Sequence, residues 1–374
     1  MRRMKGAAGL LTALLMAFQL SAQTFALAGE DNGIKVVPVN FTHNGYSYEI
    51  EGVAKSTDGD CQTKSPARLA AQKLPSAYDP RSSGEITTVK DQASTGACWA
   101  FSALACAEQD LIKKGLENPS AEFSVPALVL SSNSGTATGK DDFSSGGNWL
   151  FAASALANGQ GLCYEDYEPF LESGTENMIV SENKKNVSEY RLNYVMELSS
   201  ITQVKRKIME LGAVSASYFA GNGYMNHNNT AYYDPDASKN TIINHSVTVV
   251  GWDDNYSKDN FRYKPANNGA WLVKGSWGAD QDNDGFYWVS YDEAEFGQFC
   301  CYDFEESCDN TYYYSKMTGY VVNASNDGSV YGANVFTAKA DEKLDKAGFM
   351  YVGKTGSADY TISVYTDVSD SDPI

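Results

Sequence analysis

One stretch, from Gln92 to Gly115, constrains this chain more than any other. It reads Gln92-Ala-Ser-Thr-Gly-Ala-Cys98-Trp-Ala-Phe-Ser-Ala-Leu-Ala-Cys-Ala-Glu108-Gln-Asp-Leu-Ile-Lys-Lys114-Gly115. Phe101, Leu104, Ala105, Leu111 and Ile112 recur at helical spacing, Lys113 and Lys114 suit the negative end of a helix dipole, and Gly115 supplies a stop. The helix is therefore expected to begin at or near Cys98. Its unpaired N–H groups favour an anion there, so the Cys98 thiol is expected to be lowered toward the nucleophilic thiolate. Gly96 would let the backbone approach a bound molecule closely. Taken alone, such a cysteine reads as a buried core residue, and its neighbours have to decide.

A nucleophilic cysteine requires a base, and the chain contains three histidines: His43, His227 and His245. His43 lies in an N-terminal arm, and His227 sits in a polar Asn/Gly loop, where a solvated surface histidine is expected. His245 opens Asn244-His-Ser-Val-Thr-Val-Val-Gly-Trp252, a β-branched run that predicts a strand. A satisfied core histidine is the alternative reading. It lies 147 residues past Cys98.

Together these segments resemble the papain-like cysteine peptidases, from about Leu74 to Phe304. Leu74-Pro75, Asp79-Pro80-Arg81 and Val89-Lys90-Asp91-Gln92 look like the mature start of such enzymes, and Gly96-Ala97-Cys98-Trp99-Ala100-Phe101 resembles their nucleophile segment. The family signature C-G-[SA]-C-[WY] has Thr95 in place of its first cysteine. The partner cysteine before the Gly146-Gly147 pair is likewise replaced, by Ser144. The resemblance implies a Cys98 thiolate and His245 imidazolium attacking an acyl carbon, His245 then protonating the leaving amine. It makes Gln92 the oxyanion-hole donor together with the Cys98 backbone N–H.

The third catalytic position departs from the family. Ala270-Trp-Leu-Val-Lys-Gly275-Ser-Trp277-Gly278 resembles K-N-S-W-G, with Gly275 where an asparagine would orient the imidazole. Trp277, which shields that contact, is retained. Gly275→Asn is expected to raise turnover unless another group already orients His245. The resemblance also places peptide backbone along Gly146 and Gly147, and a side-chain pocket, expected to favour apolar or aromatic residues, among Trp149, Ala216, Ser217 and Ile243. Glu108 takes the place of a buried ion-pairing carboxylate. No cofactor and no metal are expected. Asp280-Gln-Asp282-Asn-Asp284-Gly285 mimics half of a calcium loop, but Tyr291 stands where the twelfth-position Glu belongs, so a surface loop is expected.

The remainder of the chain frames this domain. Residues 1–28 read as a signal peptide, with Arg2, Arg3 and Lys5, an apolar stretch from Ala7 to Ala26, and a cleavage site at Ala26-Leu27-Ala28, Ala22 being a second choice. An uncleaved anchor is the alternative, and no other segment is apolar enough to span a membrane. Residues 29–73 read as an extended arm or short propeptide, 74–305 as the peptidase domain, and 310–374 as a β-rich segment. That segment resembles the lectin-like domain found behind some bacterial papain-like peptidases, and it is expected to be small or cut short. Seven cysteines fit an oxidising compartment, and six of them, with one thiol kept free, allow fifteen pairings.

The expected fold class is thus α+β, a two-lobe papain-like fold with a helical lobe and a β-barrel-like lobe, followed by a small all-β domain. Asp and Glu number 47 against 29 Lys and Arg, which argues against nucleic acid as a partner. The expected partners are protein or peptide substrates, with a cell-surface glycan for the β domain, and the expected location is secreted or cell-surface. A peptide- or glycan-binding pseudopeptidase, kept open by Gly275, and acyl transfer through the same thioester are the competing readings.

Overall fold

The computed structural model describes residues 73–132, 143, 146–157, 162–167, 169–170, 189–221, 223–237, 243–280, 282–307 and a few isolated positions after them. It also describes the backbone of strands at 13–19, 38–43, 46–51, 329–335 and 360–365. The chain separates into two compact units. One comprises Met1–Cys61, Tyr312–Tyr314 and Gly319–Ile374, the other Gln62–Thr311 and Ser315–Thr318.

In the larger unit the Cys98–Lys113 helix is the organising element. Every residue from Cys98 to Leu111 is buried, where the sequence pattern indicated a single apolar face. The difference has a physical reason: Ala100, Ala103, Ala105 and Ala107 are small enough for neighbours to close over the helix on all sides. Its polar members are then compelled to find partners. Ser102 Oγ lies 2.7 Å from both Ser215 Oγ and the Val247 carbonyl. The helix ends as expected: Gly115 takes φ +71°, with the Gly115 N–H donating to the Ile112 carbonyl and the Leu116 N–H to the Leu111 carbonyl. Helices Val125–Ser132, Trp149–Ala157 and Ile201–Leu211 pack around the same core.

Among the described residues a nine-stranded sheet faces this helix. Its strands run Tyr190–Glu197, Gly297–Glu306, Val214–Tyr218, His245–Asp253, Ala270–Lys274 and Phe286–Ser290, then Ala231–Tyr232 and Met225–Asn226, with Ala77–Tyr78 added beside His245–Asp253. The pairings are antiparallel except that Phe286–Ser290 runs parallel to Ala231–Tyr232. The two strands that matter most for the site lie in the middle of this order. Val214–Tyr218 pairs with His245–Asp253 in a register that sets Tyr218 opposite His245 and Ser217 opposite Ser246.

In the smaller unit Ala13–Gln19 pairs antiparallel with both Ser329–Val335 and Tyr360–Tyr365. The apolar stretch of the expected signal peptide thus contains a strand here. Pro38–His43 and Tyr46–Glu51, inside the expected arm, form a hairpin. Tyr360–Tyr365 is a strand within the expected β-rich segment. Residues 133–142, Ser144, and residues 313–322 and 348–352 lie outside the described residues.

Candidate active site

Cys98 is the first residue of its helix, and no side chain caps that end. The thiol is 9% exposed. Burial pushes it above its ordinary value, against the pull of hydrogen bonds from the Ser246 backbone, the Trp99 backbone and the Ser246 hydroxyl. This corrects the expectation of a lowered thiol: the helix end is where the sequence placed it, but loss of water around the sulfur outweighs the dipole.

His245 is the first residue of its strand and is buried. Its ring stacks on Trp277 at 4.4 Å with 10° between the planes, and it meets the Tyr218 ring edge-on at 6.0 Å. Burial pulls the imidazole down to about 4. Its Nε2 is buried without a hydrogen-bond partner among the described residues. Gly275 supplies none, since it has no side chain. Both shifts favour an uncharged thiol and an uncharged imidazole at rest, where the sequence led to an ion pair.

Gln92 is buried and tightly held. Its backbone N–H donates to the Ser276 carbonyl at 2.8 Å, its Oε1 accepts from Ser276 Oγ at 2.5 Å, and its Nε2 donates to the Thr95 carbonyl at 2.8 Å. One of its two amide protons is thus engaged. Asp91 also bridges to Trp277. The loop before Cys98 and the segment after Lys274 are in this way fastened to each other.

Of the expected substrate positions, Gly146 takes φ +72° and Gly147 lies against the Trp99 indole. A Cβ on Gly147 would fall 2.4 Å from that ring, so only glycine lets the chain pass this close to the residue after Cys98. Ser217 is buried beside Ser246, with hydroxyls 3.0 Å apart. Ile243 is 38% exposed. Trp149 is buried at the head of its helix, its carbonyl accepting from the Tyr302 hydroxyl.

Glu108 does hold a buried ion pair. Its carboxylate receives Lys90 Nζ at 3.3 Å, Thr87 Oγ1 at 2.8 Å and the Phe123 N–H at 3.1 Å, and lies 3.9 Å from Lys274 Nζ. His227 is exposed. In the calcium-like stretch Asn283, Asp284 and Gly285 all take positive φ, a left-handed turn whose Asn283 Oδ1 accepts from Arg81. Cys98, Cys106, Cys163, Cys300 and Cys301 are buried and unbridged, while Cys61 and Cys308 lie outside the described residues.

The sequence pattern missed Ser246, Tyr218 and Tyr287. Ser246 carried a usable signal, because it follows the candidate base directly. The two tyrosines are brought to the site by strand register and carry no local signal.

The description of the papain family cysteine protease matches residues 74–309, and that of a lectin like domain matches 312–374. Procathepsin L of Felis catus is 28% identical over 226 residues, which cover 59% of this chain and 62% of that protein. Falcipain-3 of Plasmodium falciparum (isolate 3D7) is 28% identical over 229 residues, covering 60% of this chain and 42% of the relative. The crystal structure of the cysteine protease and lectin-like domains of Cwp84, a surface layer associated protein of Clostridium difficile, aligns with a TM-score of 0.57 at 31% identity. It covers 63% of this chain and 53% of that one. The chain thus spans about three fifths or less of the length of these relatives. No helix among the described residues is long and apolar enough to cross a membrane. By the matched span and the shared fold, this chain belongs to the papain family of cysteine proteases, with a lectin-like domain following its protease domain in sequence.

Proposed function

We propose that the chain is an exported endopeptidase in which Cys98 is the nucleophile, His245 the base and then the acid, and Gln92 a donor to the oxyanion. The observation that carries this reading is the convergence of a cysteine at a bare helix head, a buried imidazole stacked under Trp277 and a clamped amide. Starting from the uncharged pair, His245 takes the Cys98 proton as sulfur bonds to the scissile carbonyl carbon. The oxyanion is met by the second Gln92 amide proton and the Cys98 backbone N–H, a contribution worth roughly 3 kcal/mol per donor. When the C–N bond breaks, the imidazolium returns the proton to the leaving amine. Water then hydrolyses the thioester, with His245 again accepting a proton.

Peptide backbone runs along Gly146 and Gly147 in this reading, and the next side chain meets the Ser217 and Ser246 hydroxyls. That wall is more polar than the sequence suggested. Ser217→Val is expected to shift relative kcat/KM toward apolar side chains at this position by about tenfold, as read from a peptide library. The lectin-like domain would hold the enzyme at a glycan surface.

Treatment of the folded, reduced protein with an epoxysuccinyl inhibitor is expected to give a single adduct at Cys98 and to abolish hydrolysis of a fluorogenic peptide. Absence of that adduct would favour a binding protein, a reading that the unpartnered His245 Nε2 keeps open.

A further inference from the structure

His245 has an unmet requirement. Whichever tautomer it adopts at rest, an imidazolium carries protons on both nitrogens, and Nε2 is buried with no acceptor among the described residues. A buried N–H left unpaired is costly, and more so when it is charged. The ring must also keep its direction while its proton is passed, and stacking on Trp277 fixes its plane without fixing rotation within that plane.

Two buried tyrosines lie close to His245 and to the Trp277 that covers it. Tyr218 stands opposite His245 in the strand register, with its ring edge-on to the imidazole. Tyr287 comes from the neighbouring strand and lies nearly parallel to Trp277, with ring centroids 6.1 Å apart and 13° between planes. It fills the space next to Gly275: a Cβ built on Gly275 would lie 3.4 Å from Tyr287 Cε1 and 3.1 Å from the Gly285 carbonyl. The two hydroxyls bond to each other at 2.9 Å. Burial, and after it their mutual contact, keep the Tyr218 hydroxyl protonated, and burial does the same for Tyr287. A pair of neutral hydroxyls shares one hydrogen bond and retains both a proton to donate and a lone pair to accept. It can therefore meet Nε2 in either protonation state.

We propose that Tyr218 and Tyr287 are the positioning residues of His245, their bonded hydroxyls serving as the partner of Nε2 when the imidazole is charged. This rests on His245 acting as the base of the Cys98 reaction. Gly275 then suits the arrangement, because a Cβ there would press on the Gly285 carbonyl at 3.1 Å and the rest of an asparagine would compete with Tyr287 for the same space.

The test is a set of variants assayed on a fluorogenic peptide between pH 4 and 9, with Cys98→Ala as the control. Tyr287→Phe, which keeps the ring and its packing, is expected to lower kcat about tenfold with KM within twofold. The acid limb of kcat/KM should move to lower pH, since the imidazolium loses an acceptor. Gly275→Asn in the native background is expected to lower turnover, and Gly275→Asn with Tyr287→Ala to recover it relative to Tyr287→Ala alone. Nitrogen-15 shifts of His245 should change in Tyr287→Phe in the folded protein. Unchanged kcat, acid limb and histidine shifts in Tyr287→Phe, with activity still abolished by Cys98→Ala, would overturn this inference and leave the proposed function standing. Activity surviving Cys98→Ala would overturn the proposed function itself.

Discussion

Between pH 5 and pH 8 the ultraviolet absorbance of Cys98→Ser is expected to match that of the unaltered protein, with a thiolate difference developing only above pH 9. A preformed ion pair would give the opposite result, a thiolate signal from the acid side onward. The expectation follows from two shifts with one cause. Burial raises Cys98 and, with no counter-charge beside it, lowers His245 to about 4. Even at the ordinary thiol value of 9.0, fewer than about one molecule in a hundred carries thiolate at pH 7. The effect is about a hundredfold in resting thiolate population, so it is large enough to read directly. Alkylation rates alone would not decide it. The neutral pair and the ion pair hold the same number of protons, and their ratio does not change with pH. Turnover should nevertheless persist into mild acid, because His245 stays uncharged and able to accept a proton until pH falls toward 4. A thiolate band growing in from pH 4 would show that Cys98 and His245 approach each other more closely in solution and share the proton.

Local signals in the sequence mark where these groups lie, and non-local contacts decide what they are like. The helix from Cys98 was legible because Lys113, Lys114 and Gly115 mark its end within one turn, and the strand from His245 because Val247, Val249 and Val250 are β-branched or flanked by such residues. Burial of the helix on every side was not legible, since alanines serve equally on an exposed face and under a tight contact. The direction of the Cys98 shift depends on how much water the surrounding elements exclude, a quantity no window of sequence contains. Tyr218 lies 27 residues before His245 and Tyr287 lies 42 after it, so the meeting of their hydroxyls is a fact of register. The glycine at 275 was visible as a departure, while the tyrosine beside it was hidden among 23 others.

Glu108→Gln is expected to destabilise the protease domain by about 3–5 kcal/mol at pH 7, the range for removing one partner of a buried ion pair. Glu108 and Lys274 have side chains only 2% and 4% exposed, and Thr87 links them by accepting from Lys274 Nζ at 2.6 Å and donating to Glu108 at 2.8 Å. Burial already lowers Lys274 to about 8, with Glu108 as the largest opposing influence. Without that carboxylate the lysine is a buried cation whose compensation is gone, and its value in the fold must drop further. The pH dependence follows from proton counts. Between the folded value and the unfolded one of 10.5, the unfolded chain binds more protons, so stability rises with pH across that window. The variant has the wider window, and its deficit relative to the native protein should shrink between pH 7 and pH 10.5. Urea unfolding at the two ends of that range measures both quantities. A deficit below about 1 kcal/mol that does not change with pH would mean that Lys90 and Thr87 suffice without the carboxylate. The pair also matters to the site, because Glu108 belongs to the Cys98 helix and Lys274 directly precedes Gly275, Ser276 and Trp277. Weakening it frees the strand end that carries the cover over His245, so activity in Glu108→Gln should fall at temperatures well below its unfolding midpoint.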